Sequence, residues 1–453
     1  MPSSRPADPV PAIDDTTCLI AGVRREGNGD LAGSWNPSNG ELVDSFAVAD
    51  GGDVADAVSA ASAAALHWRK VSLTTRGAVV AARADAIERE RDALVSLIQA
   101  EIGLTAAEAR ADLDEGVRWL RALDRSPPGE PLGHLGLVTT GISPIAVPVT
   151  RIGAGLIAGN TIVWRPPLAA SVVSTAVASH AQDLPAGALN VVLGDTDVAL
   201  ALAEQRLAGL HVVSDAVQAR RICGHGFSAG NRVYGELSGF SSVVVLATAD
   251  LELAARELVR AAFRCAGQAS AAVKRVIVEP PIYAELCAQL AVHAARLRVG
   301  DTADESVDMG PLSDARSAQA MADSVDEMLT AGCRAVIGSS RLGELGESFF
   351  AATVLAVPAG ASMPDGARGP VVAVAPAEGA DAIRRLAGAP VAAGILCDDV
   401  ERAGLLAEQL DATTIRLGSP PPPHVHETLF GRRASTRPAG GRYPLVTLRR
   451  VSE

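Results

Sequence analysis

Aromatic residues are scarce in this chain, with 7 Phe, 4 Trp and 3 Tyr among 453 residues. Ala and Val dominate instead, as in many α/β enzymes. Lysine is rarer still: Lys70 and Lys274 are the only two. Arginine supplies the remaining positive charge, and the formal net charge of −12 argues against a nucleic-acid binder. The six cysteines (Cys18, Cys223, Cys265, Cys287, Cys333 and Cys397) show no C-x-x-C spacing, which speaks against a disulfide framework or a zinc site. No apolar run approaches the ~20 residues needed to span a bilayer. Met1 to Asp15 is rich in Pro, Ser and Asp and lacks the apolar core of a signal peptide. The expectation is a cytoplasmic protein with no metal, no nucleic acid and no membrane among its partners.

What is present is length and alternation. A chain of this size can build two or three lobes with real cores. Residues 1–15 read as a disordered tail. From Cys18 to Ala49, turn signals such as Asn36-Pro37-Ser38-Asn39-Gly40 interrupt short alternating runs. Helical spacing follows over Asp53–Leu66, Thr74–Ile98 and Thr105–Leu123, with Asp53 a candidate cap for the first. Thereafter strands and helices alternate. Strands are expected at Leu135–Ile142, Thr161–Trp164, Leu189–Leu193, Leu210–Val213, Ser242–Ala247 and Arg275–Val278. Helices are expected over Ser171–Gln182, near Ala199, through Arg221, over Leu251–Phe263 and over Ile282–Leu297. Leu445–Val451 reads as one lone strand. This grammar predicts an α/β fold with a parallel, doubly wound sheet.

Several segments, in order, carry a resemblance. Asn36-Pro37-Ser38-Asn39-Gly40-Glu41 is similar to N-P-A-T-G-E. Ala158-Gly159-Asn160-Thr161-Ile162-Val163 is similar to A-G-N-T-V-V. Leu184-Pro185-Ala186-Gly187 with Asn190-Val191-Val192 matches L-P-x-G-x-x-N-V-V. Gly235-Glu236-Leu237-Ser238-Gly239 resembles L-E-L-G-G, and Gly267-Gln268-Ala269-Ser270 resembles G-Q-x-C. Taken together the chain resembles the aldehyde dehydrogenases from about residue 18 to 451. The resemblance implies two Rossmann-like domains and a small β oligomerisation element. It divides the chain into a dinucleotide-binding domain over 16–235, with part of the oligomerisation element near 125–140, a catalytic domain over 236–420 and an oligomerisation segment over 421–453. It also implies NAD or NADP as cofactor, oxidation of an aldehyde to a carboxylic acid, and assembly into a dimer or tetramer.

The chemistry needs a nucleophile, an oxyanion donor, a base for the hydrolytic step and a clamp on the cofactor. The family's cysteine falls on Ser270, whose hydroxyl is far less acidic than a thiol with its free pKa of ~8.5. The family's base position holds Glu236, at an expected strand start. The family's oxyanion asparagine falls on Ala146, within Pro144-Ile145-Ala146-Val147-Pro148, and Ala146 has no donor; such a loss typically costs ~3 kcal/mol in the transition state. The segment that follows is shorter than the family's by about four residues, roughly one helical turn.

At the cofactor site, Arg165 replaces the lysine that meets the adenosine ribose, keeping charge but not geometry. The glycine-bearing turn against the diphosphate reads Ser214-Asp215, with both glycines gone and a negative charge added. Gly366 replaces the glutamate that holds the nicotinamide ribose. Cys265 is a weak candidate for a substitute nucleophile, and His424 and His426 for a metal pair without a third ligand.

Three readings follow. The chain is a non-catalytic structural or regulatory subunit, assembled with itself or with an active paralogue. Or it is an active NAD(P)-dependent oxidoreductase with a remodelled site. Or it is an esterase with Ser270 as nucleophile and Glu236 as base.

Overall fold

The computed structural model describes residues 16–123, 130–181, 183–364, 368–412, 414–421 and 449–450. They fall into two units. One takes in the described residues up to 36, those over 40–237 and 449–450; the other takes in 37–39 and the described residues over 238–421.

The first unit opens with short strands, β1 (Cys18–Ile20), β2 (Val23–Arg25), β3 (Leu31–Trp35) and β4 (Leu42–Ala47). Four helices follow: α1 (Gly51–Trp68), α2 (Leu73–Arg89), α3 (Arg91–Ile102) and α4 (Ala106–Ala122). Asp50, not Asp53, caps α1; Asp53 is the reciprocal member of the capping box and accepts from the Asp50 N–H at 3.1 Å. The single helix expected over Thr74–Ile98 is two, because the chain breaks at Glu90, which closes α2 and opens α3. Thr105 and Glu108 form the capping box of α4.

Then strand and helix alternate: β5 (Glu130–Pro131), β6 (His134–Val138), α5 (Ala146–Ile157), β7 (Thr161–Arg165), α6 (Ser171–Ser179), β8 (Leu189–Val191), α7 (Thr196–Glu204), β9 (Gly209–Ser214), α8 (Ala216–Ser228) and β10 (Val233–Leu237). The strand order is β10-β9-β6-β7-β8-β1-β2, with the five strands from β10 to β8 parallel. Both α5 and β10 went unread in the sequence. Pro144, Pro148, Gly153 and Gly155 disguise α5, yet Pro148 sits in its first turn, where no intrahelical N–H is needed. Gly235 disguises β10, so Glu236 lies near the end of a strand and not at its start.

The second unit contains β11 (Ser241–Val245), α9 (Leu251–Phe263), β12 (Val273–Val278), α10 (Tyr283–Ala294), α11 (Ala315–Thr330), β13 (Arg334–Ile337), β14 (Thr353–Ala356), β15 (Val371–Pro376), α12 (Ala380–Ala387), β16 (Ala392–Leu396), α13 (Val400–Ala407) and β17 (Thr414–Leu417). Its sheet order is β13-β14-β15-β12-β11-β16-β17, antiparallel only at β13. The period of two along β11 sorts the cores. Val243 and Val245 pack with α9, α10 and α11, while Val244 and Leu246 pack with α12 and α13.

The fold is thus α/β with two Rossmann-like parallel sheets: the alternation predicted the parallel, doubly wound sheet, and the family resemblance implied two such domains. The expected terminal strand is described only at β18 (Arg449–Arg450), antiparallel to β5. Gly366, His424 and His426 lie outside the described residues. No helix among the described residues is long and apolar enough to cross a membrane.

Candidate active site

Glu236 is the most heavily engaged of the singled-out residues. It projects from β10 toward Arg151 on α5 and His211 on β9. Arg151 donates twice, from Nε to Oε1 at 3.2 Å and from Nη2 to Oε2 at 2.5 Å. The His211 ring contacts Oε1 as well. All three side chains are buried, that of Glu236 being 11% exposed. Burial works to raise the carboxyl's pKa, but the guanidinium and the imidazole outweigh it and hold the group at about 2. Glu236 is therefore a fixed anion inside a three-residue cluster. Arg151 and His211 were missed in the sequence because they lie 85 and 25 residues from Glu236, and no motif links them.

Ala146 is the first residue of α5 and is wholly buried. Its N–H, at 3.3 Å, and that of Ile145, at 2.9 Å, both go to Asp112 on α4. Ser143 donates to the same carboxylate. Burial raises the Asp112 pKa to about 6 against these hydrogen bonds. So the methyl group at 146 has no donor, and the backbone donor beside it is already used.

Ser270 belongs to the second unit, in the loop before β12. It is half-buried, and its carbonyl accepts from the Gly239 N–H at 3.1 Å. The loop ahead of it is bent by three successive left-handed residues, Cys265 (φ 53°), Ala266 (φ 49°) and Gly267 (φ 65°). Such backbone costs about 1–2 kcal/mol at a residue with a side chain. Gln268 staples the loop: its amide nitrogen donates to Cys265 and Pro311 carbonyls, and its oxygen accepts from the Ser313 N–H at 3.0 Å. Cys265 is 4% exposed and sits in the turn itself, which gives it the character of a small packed residue.

Lys274 was not singled out. It lies on β12 with its ammonium buried, donating to the Gly369 carbonyl, and no carboxylate among the described residues pairs with it. Burial, with the nearby Arg368 charge, lowers its pKa to about 7.

Of the expected cofactor residues, Arg165, Ser214 and Asp215 lie at the carboxyl edge of the first unit's sheet. Arg165 ends β7; it is 8% exposed, and its Nε has no hydrogen-bond acceptor among the described residues. Burial lowers its pKa to about 10, partly offset by Asp195. Ser214 ends β9, and Asp215 caps α8, accepting from the Val217 and Gln218 N–H groups at 3.0 Å each. Among the described residues no group of three His, Cys, Asp or Glu is arranged to hold a metal.

Comparison with known proteins agrees with this architecture. The family model "Aldehyde dehydrogenase family" matches residues 25–442. An alpha-ketoglutaric semialdehyde dehydrogenase of Bacillus subtilis is 28% identical over 70% of this chain and 70% of its own length. A vanillin dehydrogenase of Amycolatopsis is 28% identical over 85% of this chain and 84% of its own. Two solved structures share the fold at lower identity. HpcC of Thermus thermophilus superposes with TM-score 0.87 at 24% identity, over 95% of this chain and 91% of its own. A betaine aldehyde dehydrogenase of Staphylococcus aureus, in complex with NAD+, superposes with TM-score 0.85 at 22% identity, over 90% and 88%. With the model matched along most of its length and two doubly wound units in the expected order, this chain belongs to the aldehyde dehydrogenase family.

Proposed function

We propose that this family member has kept the scaffold and lost the NAD(P)-dependent oxidation of aldehydes. On this reading it serves as a structural or regulatory subunit in the cytoplasm. It assembles with itself, as a dimer or tetramer, or with an active paralogue.

The observation that carries the reading is the Arg151–Glu236–His211 cluster. A base that activates water must take up a proton near neutral pH. A carboxylate held at about 2 by its contacts with Arg151 and His211 does not. Both of its oxygens are also engaged by Arg151 and His211. The same pairing works against the esterase reading, which needs Glu236 to draw a proton from Ser270.

Ser270 and Ala146 add to this. A serine hydroxyl is far less acidic than the thiol it replaces and so a poorer nucleophile at neutral pH. Ala146 offers no side-chain donor to a developing oxyanion, and its N–H is taken by Asp112. The cofactor residues fit NAD or NADP badly, because the Asp215 carboxylate already holds two α8 N–H groups that a diphosphate would need.

The direct test is NAD(P)H formation by the purified protein across aliphatic, aromatic and semialdehyde substrates. No turnover above the protein-free rate is expected. Turnover that disappears in Ser270→Ala overturns the reading. Sedimentation of the purified chain tests the assembly, and a monomer that co-purifies with nothing contradicts it.

A further inference from the structure

In the first unit the chain leaves β6 in one direction for β7 and β8, then returns to the other side of β6 for β9 and β10. The order reverses between β6 and β9. In sheets of this kind the crevice above the carboxyl ends of the reversal strands is where phosphate-bearing ligands sit, against a helix N-terminus. The four helices that follow β6, β7, β8 and β9 present their N-termini along that edge.

Each of those four N-termini is occupied by a carboxylate of the chain itself. Asp112 takes the Ile145 and Ala146 N–H groups at α5. Glu101 takes those of Val172 and Val173 at α6, at 2.9 and 2.7 Å. Asp195 takes that of Asp197 at α7, at 2.9 Å. Asp215 takes those of Val217 and Gln218 at α8. Helices α5 and α8 follow the two reversal strands, and the family resemblance, which puts the diphosphate turn at Ser214-Asp215, selects α8. Yet the same edge holds a buried cation. Arg165 lies level with Val212 of β9 through their shared partner Val138 on β6, and its Nε has no acceptor among the described residues. A buried guanidinium with an unmet donor favours a further acceptor beside it, in addition to the nearby Asp195 charge.

We infer that Asp215 is a built-in occupant of the diphosphate seat, closing α8 to dinucleotides by filling its N–H groups and adding a negative charge, while Arg165 persists as the anchor of a disused anion site. The inference rests on the proposed loss of activity and names the residue that enforces it at the cofactor. The seat is thus blocked while the anchor is present.

The experiment is calorimetric titration of the full chain with NAD+, NADP+ and ADP, the last as a minimal diphosphate probe. The wild-type chain is expected to show no binding up to about 1 mM. Asp215→Gly, which vacates the N–H groups at small cost to the cap, is expected to gain affinity for ADP and NAD+ by about tenfold or more. Asp215→Asn keeps the cap and removes the charge, so a smaller gain is expected. Arg165→Ala in the Asp215→Gly background is expected to abolish the gain. Thermal melts establish that each variant is folded. Wild-type binding at about 100 μM or tighter overturns the inference whatever the variants do. So does the absence of any gain in both Asp215 variants when they melt cooperatively. Wild-type binding without turnover overturns this inference alone, whereas wild-type turnover overturns the proposed function as well.

Discussion

Arg151 Nη2 lies 2.5 Å from Glu236 Oε2 while Arg151 Nε reaches Oε1 at 3.2 Å, so the guanidinium grips the carboxylate at both oxygens. A planar fork matched to a carboxylate is the strongest form of this pairing. Here it fastens α5 to β10 across the first unit. It turns a carboxylate placed where the family resemblance expects a base into part of the packing.

Breaking that grip leaves an uncompensated buried charge. Arg151→Met is expected to lower unfolding stability by about 3–5 kcal/mol at pH 7, read from urea denaturation. The pH dependence has a definite sign. The Glu236 pKa falls from 4.5 to about 2 on folding, so its contribution is present above about 4.5 and is lost as pH falls from there toward 2. Arg151→Met should flatten the stability–pH curve in that acid window. An unchanged curve would mean the pair contributes little.

Lys274 gives the same sign of pH dependence from a destabilising group. Its pKa falls from 10.5 to about 7 on folding, so between those values the unfolded chain holds a proton that the folded chain does not. Stability should therefore rise as pH climbs from about 7 toward 10.5. Lys274→Met should be more stable than wild type near pH 7, by on the order of 1–3 kcal/mol, with the alkaline rise reduced. Thermal melts at pH 7 and pH 9.5 check both parts.

Gly267 is where the loop before Ser270 can be broken by a single methyl group. Its φ is +65°, and a Cβ there would lie 2.1 Å from the Gly369 carbonyl oxygen and 2.7 Å from the Lys274 nitrogen. Gly267→Ala is expected to cost about 2 kcal/mol or more, because backbone must move as well as side chain. Amide exchange should then quicken in the Cys265–Ser270 loop before it quickens in β15.

Much of the architecture is legible in the sequence because it rests on local patterns. The helix over Leu251–Phe263 was read with its true bounds, since Asp250 caps an apolar face of clear period. The strands from Thr161 and Leu189 were placed for the same reason. The misses have physical causes too. Proline in the first turn of α5 and glycine within β10 imitate loop signals. The α2–α3 break at Glu90 leaves the helical period nearly undisturbed across it. Of the site, Ser270, Ala146 and Asp215 could be picked out by position in a motif. What holds Glu236 and Ala146 could not: Arg151 and His211 reach Glu236, and Asp112 reaches Ala146, across the fold at separations of 25 to 85 residues. Asp215 was read as a repulsive charge, whereas its carboxylate also consumes the α8 donors.

The central claim is that loss of the reaction is distributed, so that restoring the nucleophile alone does not restore turnover. The measurement is steady-state NAD(P)H formation by Ser270→Cys beside wild type, at saturating aldehyde and millimolar cofactor. A thiol titration with a disulfide reagent establishes that the new cysteine is reactive. The account predicts a titratable thiol and no turnover, because Glu236 stays gripped by Arg151 and His211. Sustained NAD(P)H formation by Ser270→Cys would contradict it and reduce the loss to a single exchange.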